Sequence, residues 1–539
     1  MSDAPIAATS STLFSPALRP TPPHTGFLMA RLSEHDGKRL LALHGVAVPR
    51  GLVARTADEA ERAASTIGCP VVVKIQAWTT GRAAIGGVAF ANSPAEAATH
   101  ARRMLTLVVG QFPVESILIE EKIEIARELF VSLAIDDRDR APVLLFSPVG
   151  GSGVEERAAS TSRIACNVLT GPDEVALAAA VEAAGGASLP AIMSAIRAIF
   201  TVAKSAEARS VEINPLVVTR DGRVVAADCR VTIDDYAVFR HPELGIEIAR
   251  EFDHPPTALE RVAYAVEQAD HRGTFYFAQL ATTAPAGSRG LVGFHGAGGG
   301  GSMMAMDAIT SEGFTVADFT DTSGNPSSAK VYRAARIILS QPGLVGYFGS
   351  GSGVASQEQF WSAYGLAKAF WELELDIPAV IRLGGNTEDR AVDILASARR
   401  DLRAPVEGYC KTDSPALIAR RFAELVAAAG GRTWAPRSRR VPPYVGAASS
   451  LSMPIKGGCV WIDAARWSDV RPIVVANSTG LVRDDNGKPA FTLPAAELAH
   501  KDSEFIACEV ECRRAGDGAL FVDLDIPGLA AISSAKEVR

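Results

Sequence analysis

The stretch SVEINPLVVTRDGRVVAAD, residues 210–228, sets Glu212, Asn214 and Asp228 where a plain apolar hairpin would carry valines. If Arg220, Asp221 and Gly222 form a three-residue turn with Gly222 in the left-handed position, the two runs pair so that Asn214 lies opposite Asp228. Side chains alternate along a strand, so Glu212 shares their face. Two carboxylates and an amide oxygen at a hairpin mouth are hard ligands. They suit Mg²⁺, which keeps several waters and completes its shell with substrate phosphates. A solvated polar face, or a local turn ahead of Pro215, accounts for the same residues without a metal.

Further candidates lie on both sides of this hairpin. Lys74 comes late in the apolar run CPVVVKIQ, where a charge is costly to bury unless it snorkels or meets an anion. The glycine-punctuated turn TTGRAAIGG follows, with Gly81 and Arg82. Its amides and guanidinium could hold a polyphosphate, although many hairpin loops look the same. Glu120 ends the run SILIE and Glu128 starts another. An acid there can accept from a ribose hydroxyl or an adenine amino group, or it is a plain exposed strand end. Two later loops, HGAGGGGS from His295 and FGSGSGVAS from Phe348, each follow an apolar strand and precede a helix. That context aims free amides and the positive helix end at an anion. Neither loop ends in the Gly-Lys-Ser/Thr of a P-loop, and Ser356 with Gln359 predicts a capping box for the second helix.

The elements that must hold these residues form two blocks. From about 31 to 252, strands and helices alternate with much antiparallel character, including a helix over TADEAERAASTIG capped by Thr56. From 253 to 432 the pattern becomes strand, glycine loop, helix, repeated. This predicts a doubly wound parallel sheet with its ligand at the strand carboxyl ends. Residues 433–454 are rich in Pro, Ser and Arg and read as a linker, and 455–539 as a small β-rich domain without evident chemistry. The first 30 residues read as a flexible tail without a secretory pattern.

Composition limits the function classes. The chain has 539 residues, 47% hydrophobic and 21% charged, enough for several buried cores. A net charge of −7 with no basic block argues against nucleic acid or a membrane surface as partner, and no apolar run reaches the length of a bilayer span. Seven scattered cysteines predict reduced thiols in a cytoplasmic protein. Cys508 and Cys512, on one face of the strand-like EFIACEVECRR, lack two further ligands for a metal.

Taken in order, VVVKIQ, TTGRAAIGG, ILIEEKIEIARELF, EINPLVVTRDG with Asp228, the HGAGGGG loop, FGSGSG and VIRLGGN resemble a known family. It is the β subunit of ADP-forming acyl-CoA ligases, the succinyl-CoA synthetase group, with the amino-terminal part of ATP-citrate lyase and citryl-CoA synthetase. The likeness covers about residues 31–430. It implies an α/β protein with an ATP-grasp nucleotide domain followed by a flavodoxin-like CoA-ligase domain. Carried over, Lys74, Gly81, Arg82, Glu120 and Glu128 would hold ATP, Asn214 and Asp228 would bind Mg²⁺, and Glu212 would steady a phosphorylated histidine, with Glu212 and Arg82 in the catalytic roles. His295, Gly296, Gly298 and the loop Gly349, Ser350, Gly351, Ser352 would border the acid and phosphate site. CoA would be co-substrate, and an α-type partner subunit would bring the phosphohistidine. The chain departs from the succinyl enzymes at Arg382-Leu383-Gly384-Gly385-Asn386, where they read Arg-Leu-Glu-Gly-Asn, and at FGSGSG. Those departures leave the carboxylic acid open among di- and tricarboxylates. Two other readings stand beside this one, an ATP-grasp carboxylate–amine ligase and a non-catalytic nucleotide-binding scaffold subunit.

Overall fold

In the computed structural model the described residues run from 29 to 440 apart from short internal segments, with several short strands and Leu529 beyond. The block from 31 to 252 folds as two lobes. The smaller carries an antiparallel sheet in the order Gly51–Ala54, Ile117–Glu121, Val71–Ile75, Val88–Ala91. Helices Ala57–Ile67 and Pro94–Met104 cover one of its faces. Each begins with a hydroxyl cap: Thr56 accepts from the Glu59 N–H and Ser93 from the Glu96 N–H. Each cap stabilises its helix by about 1 kcal/mol. In VVVKI the residues Val71, Val73 and Ile75 enter that core, so Val72 and Lys74 point the other way, toward the second lobe.

The larger lobe is an eight-stranded sheet. Its centre is the long strand Ala208–Thr219, flanked by Ile125–Asp136 on one side and Cys229–Asp234 on the other. Val211 and Ile213 pack into a core with helix Leu189–Ser205, which leaves Glu212 and Asn214 on the opposite face. The opening hairpin has the expected register. Leu216, Val217 and Val218 pair with Ala226, Val225 and Val224, and the Asn214 N–H donates to the Asp228 carbonyl at 3.3 Å. Thr219 and Arg223 close the three-residue turn, with Gly222 at φ 85°.

The second domain is a sheet in the order Tyr276–Gln279, Asp318–Asp321, Leu291–Ala297, Leu344–Gly351, Ala379–Arg382, Val406–Tyr409, parallel except for its first strand. Numbering the parallel strands along the chain gives 2-1-3-4-5, the doubly wound flavodoxin order. Separate apolar clusters fill its two faces. Asp318 lies fully buried in this sheet, accepting from Thr320 Oγ1 at 2.7 Å and Gln341 Nε2 at 2.8 Å.

Four expectations need correction. Met29–Arg31 is not tail but an edge strand paired with Cys229–Asp234. Residues 433–440 are not a free linker. Trp434 is buried, its Nε1 donates to the Leu339 carbonyl at 2.6 Å, and its backbone joins Gly343 and Leu344. The arginines that gave this segment its linker-like composition cap the end of helix Phe360–Glu372. Arg437 donates to the Glu374 carbonyl and Arg440 sits 3.6 Å from the Trp371 ring centroid, while Arg432, just ahead of the segment, donates to the Asp376 carbonyl. At the far end of the same stretch, Ser449–Pro454 is a strand paired with Glu511–Arg514. The predicted Ser356–Gln359 capping box does not form. Ala355–Glu358 is a short strand paired with Gly385–Asn386, and Gln359 begins the helix without a side-chain cap. Finally, Cys508 and Cys512 fall on two different short strands, Ala507–Cys508 and Glu511–Arg514.

Two stability predictions follow from these contacts. Trp434→Ala should cost about 3–5 kcal/mol, the usual loss for emptying a large aromatic site, read as a lower denaturant midpoint. Burial pushes the Asp318 carboxyl up to about 7, against the pull of its two side-chain hydrogen bonds. For an acid whose folded pKa is raised, no penalty exists below its unfolded value near 4. The penalty grows as pH rises from there and levels off above about 7, at roughly 4 kcal/mol. Asp318→Asn should therefore raise the unfolding midpoint at pH 8 and flatten the pH dependence between 4 and 7. An unchanged pH profile would contradict the assignment.

Candidate functional site

A cavity of about 1020 Å³ opens between the two lobes of the first domain. Lys74, Gly81, Arg82, Glu120, Glu128, Glu212, Asn214 and Asp228 all line it. The small lobe supplies Lys74 and Glu120 from adjacent strands, and Gly81 and Arg82 from the turn that joins two of them. Gly81 takes φ 65°, and the turn closes through a Gly87 N–H bond to the Arg82 carbonyl at 2.8 Å. The large lobe supplies Glu128, Glu212, Asn214 and Asp228 from its central strands and the hairpin.

At the neck of the cavity the charged groups are locked together. Lys74 Nζ lies 2.9 Å from Glu34 Oε1, 2.7 Å from Glu120 Oε2, and donates to the Ala227 carbonyl at 2.8 Å. Arg82 donates to Glu34 Oε2 and to Asp228 Oδ2, both at 2.6 Å, and to the Ile75 carbonyl. A third cation completes the set. Lys38 Nζ meets Glu34 Oε1 at 2.7 Å, both Glu120 oxygens at 2.6 and 2.8 Å, and the Ala227 carbonyl at 2.7 Å. Three carboxylates thus face three cations, and every ion touches at least one of opposite sign. Burial alone would raise the Glu34 pKa, yet Lys74, Lys38 and Arg82 overcome it and hold this carboxyl well below the usual range. Burial likewise works against the charged forms of Lys74 and Arg82. The carboxylates win, Glu34 foremost, and raise both cations. Asp228 is shifted upward, first by burial and then by the neighbouring Glu34 charge, which Arg82 only partly offsets.

Glu34 and Lys38 were missing from the sequence candidates. Both lie on helix Glu34–Leu43, whose buried face runs Glu34, Gly37, Lys38, Leu41. The signal was there: an acid and a base in helical phase with the core leucines rather than with the solvent side. Glu120 is no exposed strand end, for it is 2% exposed and both its oxygens accept from lysines. Asn214 Oδ1 accepts from the Gly151 N–H at 2.8 Å, and a side chain at Gly151 would collide with the Glu128 carboxylate.

The remaining candidates lie on the second domain, at the carboxyl ends of neighbouring strands. His295 is in register with Gly349, Gly296 with Ser350 and Ala297 with Gly351. The sheet order reverses between these two strands, the usual place for a ligand crevice. Gly298 takes φ 93° at the start of helix Gly299–Ser311, and its N–H donates to Asp321 Oδ1. Ser350 Oγ is buried and finds no hydrogen-bond partner among the described residues, while Ser352 lies outside them. His295 turns inward. Nδ1 is 2.5 Å from the Tyr347 hydroxyl and Nε2 is 3.1 Å from Thr322 Oγ1, and burial pushes the ring down to about 3, so it is neutral. Its position fits a prop behind the glycine loop better than direct contact with a ligand. Arg382 is also committed: Nε, Nη1 and Nη2 donate to the Asp413, Gly351 and Lys411 carbonyls.

Known proteins share this sequence pattern and fold. The ATP-grasp domain family matches residues 31–218. The β subunit of ADP-forming succinate–CoA ligase from Rubrobacter xylanophilus is 33% identical over 372 residues, covering 68% of this chain and 92% of its own. The corresponding subunit from Methanothermobacter thermautotrophicus is 34% identical, with 68% and 93% covered. Among solved structures, ATP citrate lyase from Methanothrix soehngenii, with citrate and coenzyme A, shares the fold at a TM-score of 0.58 and 19% identity over 74% of this chain and 100% of that one. Helices among the described residues are too short or too polar to cross a membrane. At this identity, over this share of both chains, the chain belongs to the family of succinate–CoA ligase β subunits.

Proposed function

We propose that the cavity between the lobes holds Mg-ATP, and that the chain is the nucleotide-binding subunit of an ADP-forming ligase that joins a di- or tricarboxylic acid to CoA. The observation that carries this reading is the cluster at the neck of the cavity. Lys74 and Arg82 are held charged beside two hard oxygen donors, Asn214 and Asp228, in a space large enough for a nucleotide. Those two donors sit on opposite strands of one hairpin, and the Asp228 side chain is partly exposed to the cavity. A pair of oxygen ligands with room for water and phosphate oxygens fits Mg²⁺, so Asn214 and Asp228 would hold it. Bound there, Mg²⁺ would supply positive charge against the phosphate oxygens.

Lys74 and Arg82 neutralise charge on the phosphoryl group in transfer, which is where fixed cations contribute most to such reactions. Gly81 lets the turn approach the phosphates without a side chain in the way. Glu128 and Glu212 line the same cavity from the large lobe, and Glu212 is assigned to steady a partner's phosphorylated histidine. That histidine comes from an α-type subunit. His295 is a poor substitute, since both of its ring nitrogens are engaged and it is buried. The acid then takes the phosphoryl group near the loops at 296–302 and 349–353, CoA displaces phosphate from it, and the thioester forms.

Two measurements test the reading. Lys74→Met, assayed with γ-labelled ATP and the α-type subunit, should lower transfer of label to that subunit about 100-fold or more, the usual cost of one electrostatic donor. Label transfer at the wild-type rate would remove Lys74 from the mechanism. Asp228→Ala should weaken ATP binding about 10- to 100-fold in the presence of Mg²⁺ and little in its absence, followed by titration calorimetry. Equal loss with and without Mg²⁺ would take the metal away from Asp228.

A further inference from the structure

Lys38 makes four short contacts and is itself 3% exposed. It lines no part of the cavity wall that a ligand reaches, unlike Lys74 and Arg82. Yet it binds the same partners as Lys74: the Glu34 carboxylate, the Glu120 carboxylate and the Ala227 carbonyl. A second cation on an identical set of acceptors is redundant while the site is empty of phosphate. It stops being redundant once Lys74 and Arg82 turn toward one.

We infer that Lys38 is a positioning residue, an internal counter-ion that allows Lys74 and Arg82 to leave their carboxylates for the nucleotide. The inference rests on the nucleotide reading above. The exposures set which groups can move. The side chains of Lys38, Glu34 and Glu120 are 2–4% exposed, those of Lys74 and Arg82 12–13%, and that of Asp228 35%. Lys74, Arg82 and Asp228 are the most open to the cavity, and of the six only Lys38 forms no part of its wall. When a polyphosphate draws off Lys74 and Arg82, Glu34 loses two of its three cations and Glu120 one of two. Without Lys38 both carboxylates would be left buried and uncompensated, a strongly unfavourable state. Lys38 supplies the charge that remains. Departure of Arg82 also frees Asp228 Oδ2 for a cation, so the metal site becomes available in the same step that engages the phosphates. Lys38 meanwhile keeps the Ala227 carbonyl, the residue just before Asp228, fixed at 2.7 Å.

The test compares ATP binding by the full chain, with melting temperature as a control. Lys38→Met should weaken ATP about 10- to 100-fold, because Lys74 must then stay with the carboxylates. Lys38→Met combined with Glu34→Gln removes one charge of each sign, so that Glu120 is the one carboxylate left behind and the inner set keeps its wild-type net charge when Lys74 and Arg82 leave; affinity should return to within about threefold of wild type. Packing alone cannot produce that rescue. Wild-type affinity in Lys38→Met, or a balanced double variant that is folded and still more than about tenfold weak, would overturn the inference. Should Lys38→Met not fold, the double variant decides alone by the same limits. Failure of the wild-type chain to bind ATP would instead sink the nucleotide reading, which keeps the two failures apart.

Discussion

Six ionised groups share the neck of one cavity, and the first domain is built to satisfy them. Removing one member of a buried ion pair typically costs 3–5 kcal/mol, because the partner is left without compensation. Here no element could meet that demand by itself. Glu34 and Lys38 come from the first helix, Lys74, Arg82 and Glu120 from the small lobe, and Asp228 with the Ala227 carbonyl from the hairpin of the large lobe. The ions therefore bind three pieces of chain to one another at the point where a ligand must enter. A site made this way is neutral at rest and charged only toward an incoming anion. That is a sound starting state for phosphate recognition, because neither sign is exposed in excess.

The hairpin was the most legible part. Its register depended on a turn whose glycine must take a positive φ, and side-chain alternation did the rest, so Asn214, Glu212 and Asp228 could be placed before any coordinates existed. Three of the five parallel strands, Leu291–Ala297, Leu344–Gly351 and Ala379–Arg382, were equally plain, since each of these buried runs ended at a glycine loop. Glu34 and Lys38 escaped because an acid and a base four apart on a helix usually face water. Only the phase relative to Leu41 distinguishes this pair, and the phase matters only once something opposite is known to carry charge. The segment around Trp434 escaped for a related reason. Prolines and arginines suggest a solvated linker, but here the guanidiniums answer the free carbonyls that follow a helix, and the indole fills the core beneath.

The second domain shows where a resemblance between sequences stops short of a role. His295 stands where the family likeness places a border of the acid and phosphate site, and Arg382 ends the strand at which the chain departs from the succinyl enzymes. Each is spent on its own chain, the imidazole between Tyr347 and Thr322, the guanidinium on three backbone carbonyls. Arg382 thereby ties the end of one strand, Gly351, to the loop that holds Lys411 and Asp413. The glycine loop is placed by these bonds and not by its own sequence, which explains how glycines can line a site and still hold a fixed shape.

The residues that differ carry little information about the acid. A side chain that faces a ligand reports the ligand's chemistry; a side chain that props a loop reports only the loop. At the carboxyl ends of these strands the groups open to an anion among the described residues include backbone N–H groups near Gly299 and Gly300, which are exposed at a helix start, and the buried Ser350 hydroxyl, which has no partner among those residues. Backbone amides recognise negative charge and say little about the carbon skeleton that bears it. Discrimination between acids then depends on the shape of the surrounding wall. Gly384, in place of the glutamate of the succinyl enzymes, changes that wall and leaves the amides as they are.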